Sequence, residues 1–138
     1  MLSNNYLRSF LLLCIFFICQ ACQDDENISI GDEYRQYMEK EPDMIIENAT
    51  GTLAYIESMD MWYIYQYIEG TIDAYNDYLI VEIPDLDFSF KDQKEVTVSG
   101  LCYSMPTQIR TDLAINKGWS VLGGSTFYFI KITDLKYK

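Results

Sequence analysis

The sequence predicts a mostly β protein: a small five-stranded barrel behind a short targeting segment and an acidic tether. Three observations carry that expectation. From Thr50 onward, apolar and aromatic residues alternate with polar ones in short runs, the period of half-buried strands. The last run, around Phe127–Ile132, is nearly apolar on both faces, which suits a strand enclosed in a barrel. A chain of 138 residues has room for one domain with a modest core and little more.

The chain opens on Met1–Ser9, polar with a single positive charge at Arg8, and continues into nine consecutive apolar residues, Phe10–Ile18. A membrane-spanning helix needs about 20 such residues, so this run fits the core of a signal peptide. Ala21 then sets a small residue before Cys22. The segment Cys19-Gln20-Ala21-Cys22 resembles the lipobox of bacterial lipoproteins, departing from it at Cys19 and Gln20, where an aliphatic and a small residue are usual. The resemblance implies cleavage after Ala21 and acylation of Cys22. Palmitate-type chains in twos or threes anchor a protein stably, whereas one alone binds marginally. Directly after it, Gln23, Asp24, Asp25 and Glu26 are similar to the acidic tag of surface-exported lipoproteins of Bacteroidota. That similarity implies an outer-membrane lipid anchor and exposure at the cell surface. The expected organisation is residues 1–21 as signal peptide, 22–47 as lipidated N-terminus and acidic linker, and 48–138 as the barrel.

Within the linker, Asp32–Glu41 reads either as two or three helical turns with Tyr34, Tyr37 and Met38 on one side, stopped by Pro42, or as a flexible tether. Its acidic composition favours the tether. Strands are expected at Thr50–Ser58, Met61–Ile68, Tyr78–Ile83, Lys94–Ser104 and Ser125–Leu135, the first two joined by a hairpin across Met59-Asp60. In the second strand Trp62, Ile64 and Ile68 take one face and Tyr63, Tyr65 and Tyr67 the other. In the fourth, Val96 and Val98 alternate with Thr97 and Ser99, and Gly100 marks a bulge or bend. The links Glu69–Asp77 and Met105–Gly124 hold the turn residues, and the second is long enough to be functional or mobile.

Charge and composition exclude several functions. Asp and Glu number 21 against 10 Lys and Arg, a net charge of −11, which repels phosphate backbones and argues against nucleic-acid partners. The acidity is concentrated near the start: Cys22–Glu47 holds nine acids and two bases. The chain contains no histidine, which removes the commonest general base and metal ligand. No cofactor set or metal set is recognisable. Asp85 and Asp87 lack the ladder of further oxygens that calcium requires and read as solvated turn carboxylates. Cys102, without a histidine to activate it, reads as a plain strand cysteine. No catalytic residue is expected.

The feature that points to binding is the tyrosine row Tyr63, Tyr65 and Tyr67, with Tyr75 and Tyr78 nearby. Tyrosine offers a flat apolar ring with a polar tip, suited to sugars, peptides or a protein partner. The bland alternative is an outer sheet face packed under the leader or a loop. The runs Tyr78–Pro84, Phe88–Lys91, Val96–Tyr103 and Phe127–Leu135 together resemble small OB-like lipoprotein domains of Bacteroidota. That resemblance implies a five-stranded barrel without catalytic residues, although the helix expected between the third and fourth strands is hardly visible in Asp85–Gln93. The expected function is a non-catalytic binding or accessory module held on a membrane by its N-terminal lipid, with a glycan or a cell-envelope protein as partner. A structural or assembly component facing the periplasm is the alternative.

Overall fold

The structure, a computed structural model, describes residues 31–82, 88–119 and 124–138. The signal segment, Cys22 with its acidic tag, and the pair Asp85 and Asp87 lie outside the described residues.

Among the described residues, five strands close into a barrel: β1 (Met44–Ile56), β2 (Met61–Tyr67), β3 (Tyr75–Ile80), β4 (Lys94–Ser104) and β5 (Thr126–Tyr137). The strand order is β1-β2-β3-β5-β4, with β1 closing the ring by pairing with both β2 and β4. Neighbours run antiparallel except β3 and β5, which are parallel. This is a small OB-like barrel.

The barrel closes because β1 bends. Its register against β4 shifts between Ile46 and Ala49, where Asn48 adopts a positive φ of 50° and donates its N–H to Ser99 Oγ at 2.9 Å. Asparagine tolerates that left-handed conformation better than most residues. Beyond the bulge the inward parity is reset, so that Ala49 and Leu53 face the barrel interior as Met44 and Ile46 do before it, while Ile56 is buried on the outer side. β4 answers with Gly100, at the point where its register against β5 shifts. A Cβ there would lie 2.8 Å from the Lys131 carbonyl oxygen and 2.9 Å from the Ile130 side chain, so only glycine allows the approach.

Two apolar clusters result. One fills the barrel and includes Leu53, Trp62, Ile64, Tyr78, Ile80, Val96, Val98, Cys102, Ile130 and Leu135. The other lies on the outside of the wall, where Leu79, Tyr103, Phe127 and Phe129 meet a helical cover. That cover consists of a 3-10 helix, Asp32–Met38, and helix α1, Thr107–Ile115. α1 sends Leu113 fully into the cluster, with Ile109 packed against it. The both-sided apolar character of β5 is thereby explained: Ile130 faces the interior and Phe129 the cover.

The 3-10 helix corrects the tether reading of Asp32–Glu41. Tyr34 is buried and stacks on Phe129 at 5.4 Å between ring centroids, and Tyr37 stacks on the same ring at 5.5 Å. Burial, helped by neighbouring Glu33, raises the Tyr34 hydroxyl pKa far above its ordinary value. Arg35 bridges Asp32 at 3.1 Å and Glu82 at 3.8 Å. Just beyond Pro42, Asp43 accepts a hydrogen bond from the Ser104 N–H at 2.7 Å and pairs with Lys40 at 3.0 Å. Those contacts, the Ser104 amide first, hold its carboxyl below the usual range. The folded body therefore includes residues 32–38 and all of β1 from Met44, upstream of the expected start at residue 48.

Other boundaries also move. β3 begins at Tyr75, three residues before the expected Tyr78, because Asn76 and Asp77 look like turn residues yet pair in register with Gln66 and Tyr65. The hairpin between β1 and β2 spans residues 57–60, with Met59 buried beneath it and Asp60 at φ 50°. The link 105–124 carries α1 where open chain was expected. Among the described residues, no helix is long and apolar enough to cross a membrane.

Candidate functional site: an aromatic face on the barrel

Alternation along β2 turns Trp62 and Ile64 inward and leaves Tyr63, Tyr65 and Tyr67 on the outer face, as the sequence predicts. β3 adds Tyr75, the cross-strand partner of Tyr67. The rings touch in series: Tyr63 to Tyr65 at 5.9 Å, Tyr65 to Tyr75 at 6.0 Å, and Tyr75 to Tyr67 at 5.6 Å. Trp119 continues the series, edge-on to Tyr63 at 5.4 Å. The edge-to-face pairs among them, Trp119–Tyr63, Tyr65–Tyr75 and Tyr67–Tyr75, add about 0.5–1.5 kcal/mol each beyond simple burial, which stiffens the face.

Tyr78 does not belong to it. It stands three positions from Tyr75, an odd number, so strand geometry turns it to the other side. It is buried inside the barrel, 1% exposed, opposite Ile64. Its hydroxyl donates to Gln66 Oε1 at 2.9 Å, and burial raises its pKa far above the ordinary tyrosine value.

The face is sealed at one end and open at the other. Gly118, at φ 72°, turns the chain after α1 so that the Trp119 N–H donates to the Leu113 carbonyl at 2.9 Å. A substituent side chain would be strained in that conformation. Trp119 is thereby laid onto the sheet, only 3% exposed, whereas Tyr67 at the far end is 50% exposed. Ser58 in the β1–β2 turn donates to the Lys117 carbonyl at 2.5 Å, tying this turn to the segment after α1.

Two clefts flank the ring series. The larger, about 880 Å³, lies at the open end between Tyr65 and Tyr67 and the polar residues Thr50, Thr52, Gln66, Glu69, Asn76, Gln93 and Glu95. Tyr65 donates its hydroxyl to Gln93 Oε1 at 3.1 Å, and Tyr67 donates to the Thr71 carbonyl, so both rings are held before any ligand arrives. Lys138 pairs with Glu95 at 3.1 Å. The smaller cleft, about 520 Å³, opens beside Tyr63 and Trp119 and includes Tyr55 and Lys91. The Lys91 ammonium sits 4.7 Å above the Tyr55 ring.

Beneath the rings lies Asp77, cross-strand to Tyr65 on one side and to Phe127 on the other, and 2% exposed. Burial pushes its carboxyl pKa up to about 6, an effect the nearby Ser125 hydroxyl partly opposes. Asp77 Oδ2, Ser125 Oγ and Trp119 Nε1 each lack a hydrogen-bond partner of good geometry. Tyr63 above them has its hydroxyl pKa raised, by burial first and by the Asp77 charge second. Cys102 is fully buried in the barrel, and burial pushes its thiol up to about 12, far from use as a nucleophile. Among the described residues, no group of three or more cysteine or acidic side chains is placed to hold a metal ion.

Sequence reasoning missed Trp119, Asp77 and the groove amides. Gln66 carried a signal, since a polar residue at an inward position of an apolar strand needs a buried partner or a barrel end. Trp119 sits in a link with no periodicity, so nothing in the sequence locates its docking place. The chain matches no protein-family model, and no curated protein matches it.

Proposed function

We propose that the protein is a lipid-anchored, non-catalytic binding module of the bacterial cell envelope, displayed at the surface, with the tyrosine face as its contact. The observation that carries this reading is the continuous series of rings from the buried Trp119 to the half-exposed Tyr67, with Tyr65 and Tyr67 held by hydroxyl bonds beside the larger groove. Barrels of this strand order bind ligands on the face of their second and third strands and on the β1–β2 and β4–β5 loops. Here those elements carry Tyr63, Tyr65, Tyr67, Tyr75, Ser58 and Trp119. The analogy is one of fold. The anchor rests on the apolar run Phe10–Ile18, the Ala21-Cys22 junction and the acidic residues after it.

Hydroxyl-radical footprinting tests the contact without knowing the ligand. Tyr65 and Tyr67 should be labelled several-fold less on intact cells than in the purified full chain, while exposed Tyr137 is labelled equally in both. Equal labelling of the tyrosine face in the two settings removes the basis for the reading. The anchor has its own test. Cys22→Ser should shift the protein out of the membrane fraction or leave it as an uncleaved precursor, and an unmodified Cys22 in the mature wild type would refute acylation.

A further inference from the structure

We infer that the groove beside Tyr65 and Tyr67 binds an uncharged oligosaccharide; this rests on the binding-module reading and names its ligand class. The argument runs from what lines the groove. Its volume of about 880 Å³ lies within the range of ligand-binding clefts. Among the described residues no Lys or Arg lines it; Lys138 is engaged by Glu95, and Glu69 adds a further negative charge, so a uronate, sulfate or phosphate would meet repulsion from Glu69 without a free cation in the lining. OB-like barrels bind oligonucleotides or oligosaccharides on this face, and the same missing cations exclude the first.

A cationic ligand fits less well. Glu95 is already paired with Lys138 at 3.1 Å, which leaves Glu69 as the uncompensated carboxylate of the lining.

The polar groups suit sugar hydroxyls, each of which both donates and accepts. Gln93 and Gln66 use their carbonyl oxygens to accept from Tyr65 and Tyr78, which leaves their NH₂ groups as donors. Glu69 and the hydroxyls of Thr50 and Thr52 supply acceptors alongside them. The Tyr67 ring, half exposed and held by its bond to Thr71, offers an apolar surface for the C–H face of a pyranose.

The test presents the full chain, purified in detergent, to an array of neutral, uronate-bearing and sulfated oligosaccharides, with oligolysine as a cationic probe. Signals should be confined to neutral glycans. Tyr67→Ala and Gln93→Ala should each weaken them by about tenfold or more while both variants stay folded at the assay temperature, their unfolding midpoints lowered only slightly by the lost ring and hydroxyl contacts, as expected for anchors in a binding hot spot. Preference for acidic glycans, or silence across all glycans, overturns the inference. If oligolysine alone binds and Tyr67→Ala abolishes it, the sugar assignment falls while the binding face stands. Glycan silence with Tyr65 and Tyr67 still protected on cells has the same meaning, whereas loss of that protection removes the face itself.

Discussion

Phe129→Ala should cost about 3–5 kcal/mol of folding stability, measured as a fall in the urea midpoint at unchanged slope. Phe129 is fully buried on the outer side of β5 and carries both Tyr34 and Tyr37 on its ring. Removing it leaves a cavity under the 3-10 helix and strips that helix of its main apolar contact. Seven residues of 3-10 helix cannot persist alone, since short helices in water are marginal without packing. Tryptic cleavage after Arg35 should accelerate accordingly. Tyr34→Ala separates the two effects: it should expose Arg35 in the same way while costing less stability. A loss below about 1.5 kcal/mol for Phe129→Ala would mean that the cover is decoration and the barrel alone holds the fold.

Asp77→Asn should stabilise the protein at neutral pH by up to about 3 kcal/mol and flatten its stability between pH 4 and 7. The sign follows from the direction of the shift. Burial raises the folded-state pKa of Asp77 from 3.8 to about 6, so the folded protein holds this proton more tightly than the unfolded chain. The resulting stabilisation is complete below the unfolded value of 3.8 and is lost as pH rises through about 6. Above that, the wild type buries a carboxylate whose Oδ2 has no partner. Asparagine keeps the shape, removes the charge and offers a donor to the Ser125 hydroxyl. Asp43, whose pKa is lowered, contributes the opposite trend, but it is present in both proteins and cancels in the difference. Urea midpoints of wild type and variant across this range provide the check, and parallel profiles would contradict it.

The strands were legible where alternation ran unbroken. β4 lies at Lys94–Ser104 as read, and β2 differs by one residue, because each has a single parity over the stretch that decides it. β1 was read six residues late because the bulge at Asn48 reverses parity, and a period-of-two reading stops at such a reversal. α1 was missed because nine residues with only Ile109 and Leu113 directed into the cluster make too weak a helical stripe. The tyrosine row of β2 was legible for the same reason as its strand. Tyr78 leaves the row, despite its nearness in sequence, because its parity along β3 turns it into the barrel.

The sequence alone determined a mostly β barrel, its acidic character, the absence of histidine chemistry and an alternating strand with tyrosine on one side, because these depend on composition and on a period of two. Only the tertiary structure decided which tyrosines form one surface, that Trp119 extends it, and that Asp77 lies beneath it. Those outcomes depend on cross-strand register and on where a segment without periodicity docks, and both are set by residues far apart in the chain. The structure also decided that residues 32–38 belong to the fold. Their composition is that of a solvated tether, and what overrides it is the burial of Tyr34 on Phe129, a contact between positions 95 residues apart.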